Sequence, residues 1–270
     1  MSLTKVLITV KTYPSISTKY KELVCTAGFR EDGSWIRIYP IQFRRMPYNE
    51  QYAKYQWIEL DLVKNKKDFR PESYRPVSSD TPINILGSIK ADGDTWAERR
   101  KCILNKVYTD MSLLISDARN KSICTSLAIF KPTEIIDFKW KKVAREWPKE
   151  KLEQFRQVCL FESAGEKGLE IVKKLPYKFS FIYKDSNGNQ STTMIEDWEL
   201  GVLYWKSYKR HGDEQKACED VRKKYLDDFA RTKDLHFFMG TSLAHHNRSK
   251  NPFIIIGAFY PKPITQYELF

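Results

Sequence analysis

Four short runs near the start of the chain, VLITVKTY, ELVCTAGF, SWIRIYPI and YQWIELDLV, limit what it can fold into. Each is rich in β-branched and aromatic residues and bounded by turn residues, the pattern of strands. Several short strands in close succession favour a small barrel or a strongly curved sheet, which leaves few open edges. REDGS, between the second and third runs, reads as a hairpin turn in which Gly33 takes a positive φ. In SWIRIYPI the side chains alternate. Ile36 and Ile38 take the core face, and Trp35, Arg37 and Tyr39 take the other.

Beyond the strands the pattern changes. KNKKDFRPESYRPVSSDTP, residues 64–82, reads as a long, proline-punctuated polar loop. A helix is expected from about Thr95 to Lys106, and a second in TDMSLLISDARNK. TSLAIFKPTEIIDFKWKKV reads as strand, turn and strand, and PKEKLEQFRQVCLF as a helix or a linker. YKFSFIYKDSNGNQSTTMI is a hairpin turning at Asn187-Gly188. Two amphipathic helices follow, EDWELGVLYWKSYKR and EQKACEDVRKKYLDDFAR, then two buried strands, DLHFFMGT and PFIIIGAFYP. The expected fold is α+β. A barrel-like module spans 1–90 and a mixed helical and strand connector 91–150. A C-terminal α+β domain spans 151–270, an antiparallel sheet packed with two helices.

The chain of 270 residues carries a net charge of +12. Residues 1–150 hold 27 Lys+Arg against 18 Asp+Glu, and residues 151–270 hold 19 against 16. This imbalance points to a phosphate-rich partner, with much of the binding in the N-terminal half. The five cysteines include no C-x-x-C pair, which disfavours a zinc finger or ribbon and fits reduced thiols. No apolar run reaches the roughly 18–20 residues of a membrane helix. The opening MSLTKVLITVKTYP lacks the continuous apolar region of a signal peptide. A cytoplasmic protein without membrane attachment and without a cofactor is expected.

Candidate binding residues fall into three groups. FRRMPYNEQYAKYQW interleaves Arg44, Arg45 and Lys54 with aromatic rings, and it follows the Trp35, Arg37, Tyr39 face. Rings that stack on bases, set among cations that hold the backbone, suit single strands. FRPESYRP offers Arg70 and Arg75, whose guanidinium forks match phosphate. The loop GTSLAHHNRSKN offers Thr241, His245, His246, Arg248 and Lys250 as donors to phosphate oxygens. Adjacent histidines on extended backbone point opposite ways, which disfavours a metal site. For catalysis the sequence offers Asp137 and Lys139 on one face of a strand, a nuclease-like pairing needing a further acid such as Asp110 or Asp117. It also offers His245 or His246 as an acid or base.

WIRIYP, MIEDWE and FFMGTS…NPFIIIGAFYP resemble stretches of an uncharacterised bacterial protein family. The resemblance implies no activity, ligand or residue role. The expected function is nucleic-acid binding, DNA or RNA, within a processing or defence assembly that includes other protein subunits. The alternatives are a metal-dependent nuclease or other nucleotide-acting enzyme, and an interaction subunit whose basic face meets an acidic protein.

Overall fold

The β-rich opening of the chain closes on itself. The computed structural model describes residues 2–17, 21–160 and 171–264. Its first seven strands are β1 (Ser2–Lys11), β2 (Ser15–Ser17), β3 (Lys21–Phe29), β4 (Trp35–Ile41), β5 (Gln56–Lys64), β6 (Ser73–Pro76) and β7 (Asn84–Ser88). Five of them form a ring in the order β1-β3-β4-β6-β5 and back to β1, with β2 added to β3 and β7 to β5. All pairings in the ring are antiparallel except β4–β6. The barrel expected from the four short runs is therefore present. Its closing strand β6 lies inside the stretch that reads as a polar loop. Pro76 pairs with Leu62 at the strand's end, where the missing N–H does least harm.

Val6, Ile8, Ile36, Ile38, Ile58 and Leu60 fill the barrel, as period-2 alternation requires. Gly28 permits β1 and β3 to approach. A Cβ there would lie 2.0 Å from the Leu7 carbonyl oxygen.

The rest of the chain contributes α1 (Ala97–Ile103), β8 (Val107–Tyr108), α2 (Met111–Arg119), β9 (Leu127–Phe130), β10 (Glu134–Lys142) and α3 (Lys149–Leu160). β11 (Tyr177–Lys184), β12 (Gln190–Met194), α4 (Trp198–His211), α5 (Glu214–Arg222), β13 (His236–Thr241) and β14 (Phe253–Phe259) follow. Aspartates cap three helices. Asp110 opens α2, Asp197 opens α4 and Asp213 opens α5, each accepting backbone N–H groups. α5 runs on into wider π-helical turns over Lys223–Ala230.

The α+β class holds, with one difference of layout. The two hairpins do not share one antiparallel sheet. β11–β12 takes β10 as its third strand, while β13–β14 takes β9 and β8, the last pair parallel. A parallel bridge, Ile195 to Ile255, joins the sheets. Strands from residues 107–142 thus complete both sheets, a long-range pairing that local pattern does not reveal.

The barrel's outer face is not left to solvent. Val10, Ala27, Phe29 and Ile103 pack with Leu127, Ile129, Phe238, Ile256 and Phe259 in one shared cluster. No helix among the described residues is long and apolar enough to cross a membrane.

Candidate functional site

A cleft of about 1340 Å³ runs between the barrel and the C-terminal sheets. β3, β4 and the β5–β6 loop form one wall. The lead-in to β11, the end of β12 and strands β13 and β14 form the other. Eight cationic side chains line it: Arg37, Lys64, Lys66, Lys67, Arg70, Arg75, Lys174 and Lys178. Asp68, Glu196 and Asp197 are its acidic lining. Tyr39, Tyr13, Trp147 and Tyr177 add flat rings. Phe69, between two lining residues of the β5–β6 loop, is 53% exposed.

Two of the arginines are buried at the cleft and firmly placed. Arg37 donates from Nη2 to the Ser126 carbonyl and hydroxyl, both at 3.1 Å. Its Nη1 faces the Cys25 Sγ at 3.7 Å, and its Nε has no hydrogen-bond partner among the described residues. Burial, with the nearby Arg70 charge, holds its pKa below the ordinary guanidinium range, though arginine stays charged. Arg70 donates from Nε to Asp68 Oδ1 at 2.8 Å and from Nη1 to the Thr241 carbonyl. Burial alone would raise the Asp68 pKa. The hydrogen bonds from Arg70 and Ser73 outweigh it and bring the carboxyl down to about 2. Lys64 donates to the Arg70 and Pro71 carbonyls.

The histidine loop turns inward at one residue. His246 is fully buried. Its Nε2 lies 2.9 Å from the Ala118 carbonyl, which only accepts, so Nε2 carries the proton. Nδ1 then accepts from the Thr241 hydroxyl at 2.8 Å. Burial pushes the His246 pKa below the ordinary range, so the ring is neutral. Cys124 Sγ, 3.7 Å from Nε2, faces an N–H rather than a base, and burial raises its thiol pKa. This pair is no thiolate-forming dyad.

The model of a domain of unknown function (DUF8757) matches residues 107–270, more than half of the chain. The chain belongs to the DUF8757 family. A second domain of unknown function (DUF8758) matches residues 2–105. An uncharacterised family is therefore what the WIRIYP, MIEDWE and FFMGTS stretches announced. No curated protein matches the chain. A solved structure of a murine DNA binding protein bound with ds DNA aligns over 98% of each chain at 10% identity and a TM-score of 0.32. A likeness that loose supports neither fold nor function.

In this DUF8757 chain the cleft gathers Arg37, Tyr39, Arg70, Arg75 and Thr241 from the residues singled out in the sequence. The others lie elsewhere. Trp35 packs on Phe29 and Phe238 at the joint between the halves, so it is core rather than platform. Lys54 is buried against Asp197 and Glu199, and so is not a surface donor. Arg44 pairs with Glu22 at 2.6 Å, and Arg45 follows it on the same short turn. His246 has both ring nitrogens occupied within the fold and cannot grip phosphate. His245, Arg248 and Lys250 are exposed but do not line the cleft.

The acids among the catalytic candidates each have a separate partner. Asp137 sits 3.5 Å from Arg222, and Lys139 is exposed on the same strand. Asp110 caps α2, and Asp117 accepts from the Tyr108 hydroxyl at 2.6 Å. Among the described residues no three His, Cys, Asp or Glu side chains gather as a metal site.

The cleft also contains residues that sequence reading passed over. Lys64, Lys66 and Lys67 were visible as a charge run in KNKKDFR. Tyr13, Trp147, Lys174 and Lys178 carry no local signal, because folding alone places them on the opposite wall. Gly201 of α4 is part of that placement. A Cβ there would meet the Tyr13 ring at 2.0 Å, so glycine lets the ring lie against the helix. The Tyr13 hydroxyl then accepts from Trp205 Nε1 at 2.9 Å.

Proposed function

We propose that the chain binds single-stranded nucleic acid in the cleft between the barrel and the C-terminal sheets. One observation carries the reading: eight cations face three acids in a single cleft that also presents aromatic rings. Cations follow a phosphate backbone, and rings stack on bases whatever their identity. Lys66, Lys67 and Arg75 carry this charge on the β5–β6 segment, where Arg75 also donates to the Pro76 and Val77 carbonyls. Phe69 on the β5–β6 loop and Tyr39 on β4 are exposed rings.

The cleft volume exceeds the roughly 300–1,000 Å³ of small-molecule pockets, which suits a ligand of several linked units. As a strand-binding component the protein would serve a DNA or RNA processing or defence assembly. The edge of β7, with Ile85 and Leu86 exposed, offers a partner subunit a strand to pair with.

The test is fluorescence anisotropy with labelled single- and double-stranded DNA and RNA across a salt series, with and without Mg²⁺. Single strands are expected to bind more tightly than duplexes. Their log affinity should fall with log salt at a slope of roughly −0.7 per phosphate neutralised. Equal or tighter duplex binding, or salt-insensitive binding, contradicts the reading. Shortened products in Mg²⁺ would replace it with a nuclease.

A further inference from the structure

Arg37 is in an unusual position for a buried cation. It is 4% exposed, lines the cleft, and has one N–H without a partner among the described residues. Its other contacts are a serine carbonyl and hydroxyl and a thiol, which is a weak acceptor. The neighbouring carboxylates are engaged elsewhere. Asp68 accepts from Arg70 and from the Ser73 hydroxyl, and Glu72 accepts from the Ser126 hydroxyl. Arg37, Lys64 and Arg70 therefore outnumber Asp68 and Glu72 by one charge.

We infer that this end of the cleft is a seat for one phosphate group, with the Arg37 guanidinium as its donor and Lys64 and Arg70 as flanking charge. The inference rests on the reading of the cleft as a nucleic-acid site and adds a fixed point to it. An anion at this end of the cleft would balance the excess charge, and arginine stays charged even when buried. Ser126 holds Nη2 through its carbonyl and hydroxyl, so the guanidinium is oriented before the ligand arrives, and Nη1 is left facing only a weak thiol acceptor. The seat would set the register of the strand, where mobile rim lysines would only attract it. Either an internal phosphodiester or a terminal phosphate supplies the chemistry.

The experiment uses the full chain, wild type and Arg37→Gln, with three probes: inorganic phosphate, an oligothymidylate with free ends, and the same oligomer with a 5′-phosphate. Arg37→Gln is expected to weaken the unphosphorylated oligomer at least tenfold and to make its log–log salt slope shallower by roughly 0.7. Inorganic phosphate should displace the oligomer from the wild type better than chloride at equal ionic strength. A gain from the 5′-phosphate that Arg37→Gln abolishes assigns the seat to a strand end, and no such gain assigns it to an internal diester. If Arg37→Gln melts like the wild type and binds with unchanged affinity and slope, the seat is refuted while the cleft reading stands. If the wild type binds no oligomer, the cleft reading itself falls. Should Arg37→Gln fail to fold, the wild-type displacement decides, and phosphate no better than chloride refutes the seat.

Discussion

Lys54 lies where the barrel meets α4, its ammonium 2.9 Å from Asp197 and 3.0 Å from Glu199. Burial alone would push its pKa down. The two carboxylates outweigh that and hold it above the ordinary range, so the lysine stays charged. Lys54→Ala should cost about 3–5 kcal/mol in urea unfolding, because it strands a buried Asp197. Loss of under 1 kcal/mol would show the pair to be dispensable. In the sequence Lys54 reads as a phosphate contact, since its partner is 143 residues away and no local pattern announces it. Lys11 is the reverse case. Its ammonium lies over the Phe43 ring at 4.3 Å and donates to the Tyr52 carbonyl. Burial, and then the Lys54 charge, lower its pKa from 10.5 to about 8. Between those values the unfolded chain holds a proton that the folded chain lacks, so this residue makes stability rise with pH. Below pH 8 both states are protonated and the full penalty remains. Urea midpoints from pH 7 to 9 should therefore rise for the wild type relative to Lys11→Met, and parallel curves would contradict it. His246→Ala should destabilise by about 2–4 kcal/mol and His245→Ala by under 0.5, since one ring is buried and the other exposed.

The β5–β6 loop joins what the sequence shows to what it hides. Its charge run KNKKDFR and its arginines are plain in the sequence, and so are the turns at Gly33 and Gly188, both with φ of +77°. The strand β6 at its end is not. Its four residues, SYRP, are short and proline-bounded, and they pair with β4 and β5 only once the barrel closes. The same blindness affects SWIRIYPI. Its alternation is legible, and Ile36 and Ile38 do fill the core. What covers the opposite face is not legible, because Phe238 and Ser126 arrive from far along the chain. Hence Trp35 became core, Arg37 a buried donor, and Tyr39, 36% exposed, a cleft wall. Phe69 tests the loop's role. Being exposed, it adds little to the core, so Phe69→Ala should leave melting within a degree or two. It should weaken single-strand binding by about 1–3 kcal/mol if a base stacks there. Unchanged affinity would remove Phe69 from the site.

At the scale of the molecule the two halves depend on each other. The family models meet between residues 105 and 107, yet the apolar cluster of Phe29, Leu127, Phe238 and Phe259 spans that boundary. Arg37–Ser126, Arg70–Thr241 and Lys54–Asp197 cross it as well. Calorimetry should show one cooperative transition rather than two. The charge surplus of residues 1–150 suggests that an N-terminal half would retain much of the binding. The cleft argues otherwise, because Lys174, Lys178, Trp147 and Tyr177 form its second wall. A fragment of residues 1–105 should bind single strands at least tenfold more weakly than the full chain. Photocross-linking locates the bound strand. A single-stranded oligomer carrying photoreactive pyrimidines is irradiated with the full chain, and the linked peptides are mapped by mass spectrometry. Cross-links are expected at Tyr39 on one wall of the cleft and at Trp147 or Tyr177 on the other. Cross-links confined to Arg44–Arg45 or to Arg248–Lys250, with none in the cleft, would contradict binding there.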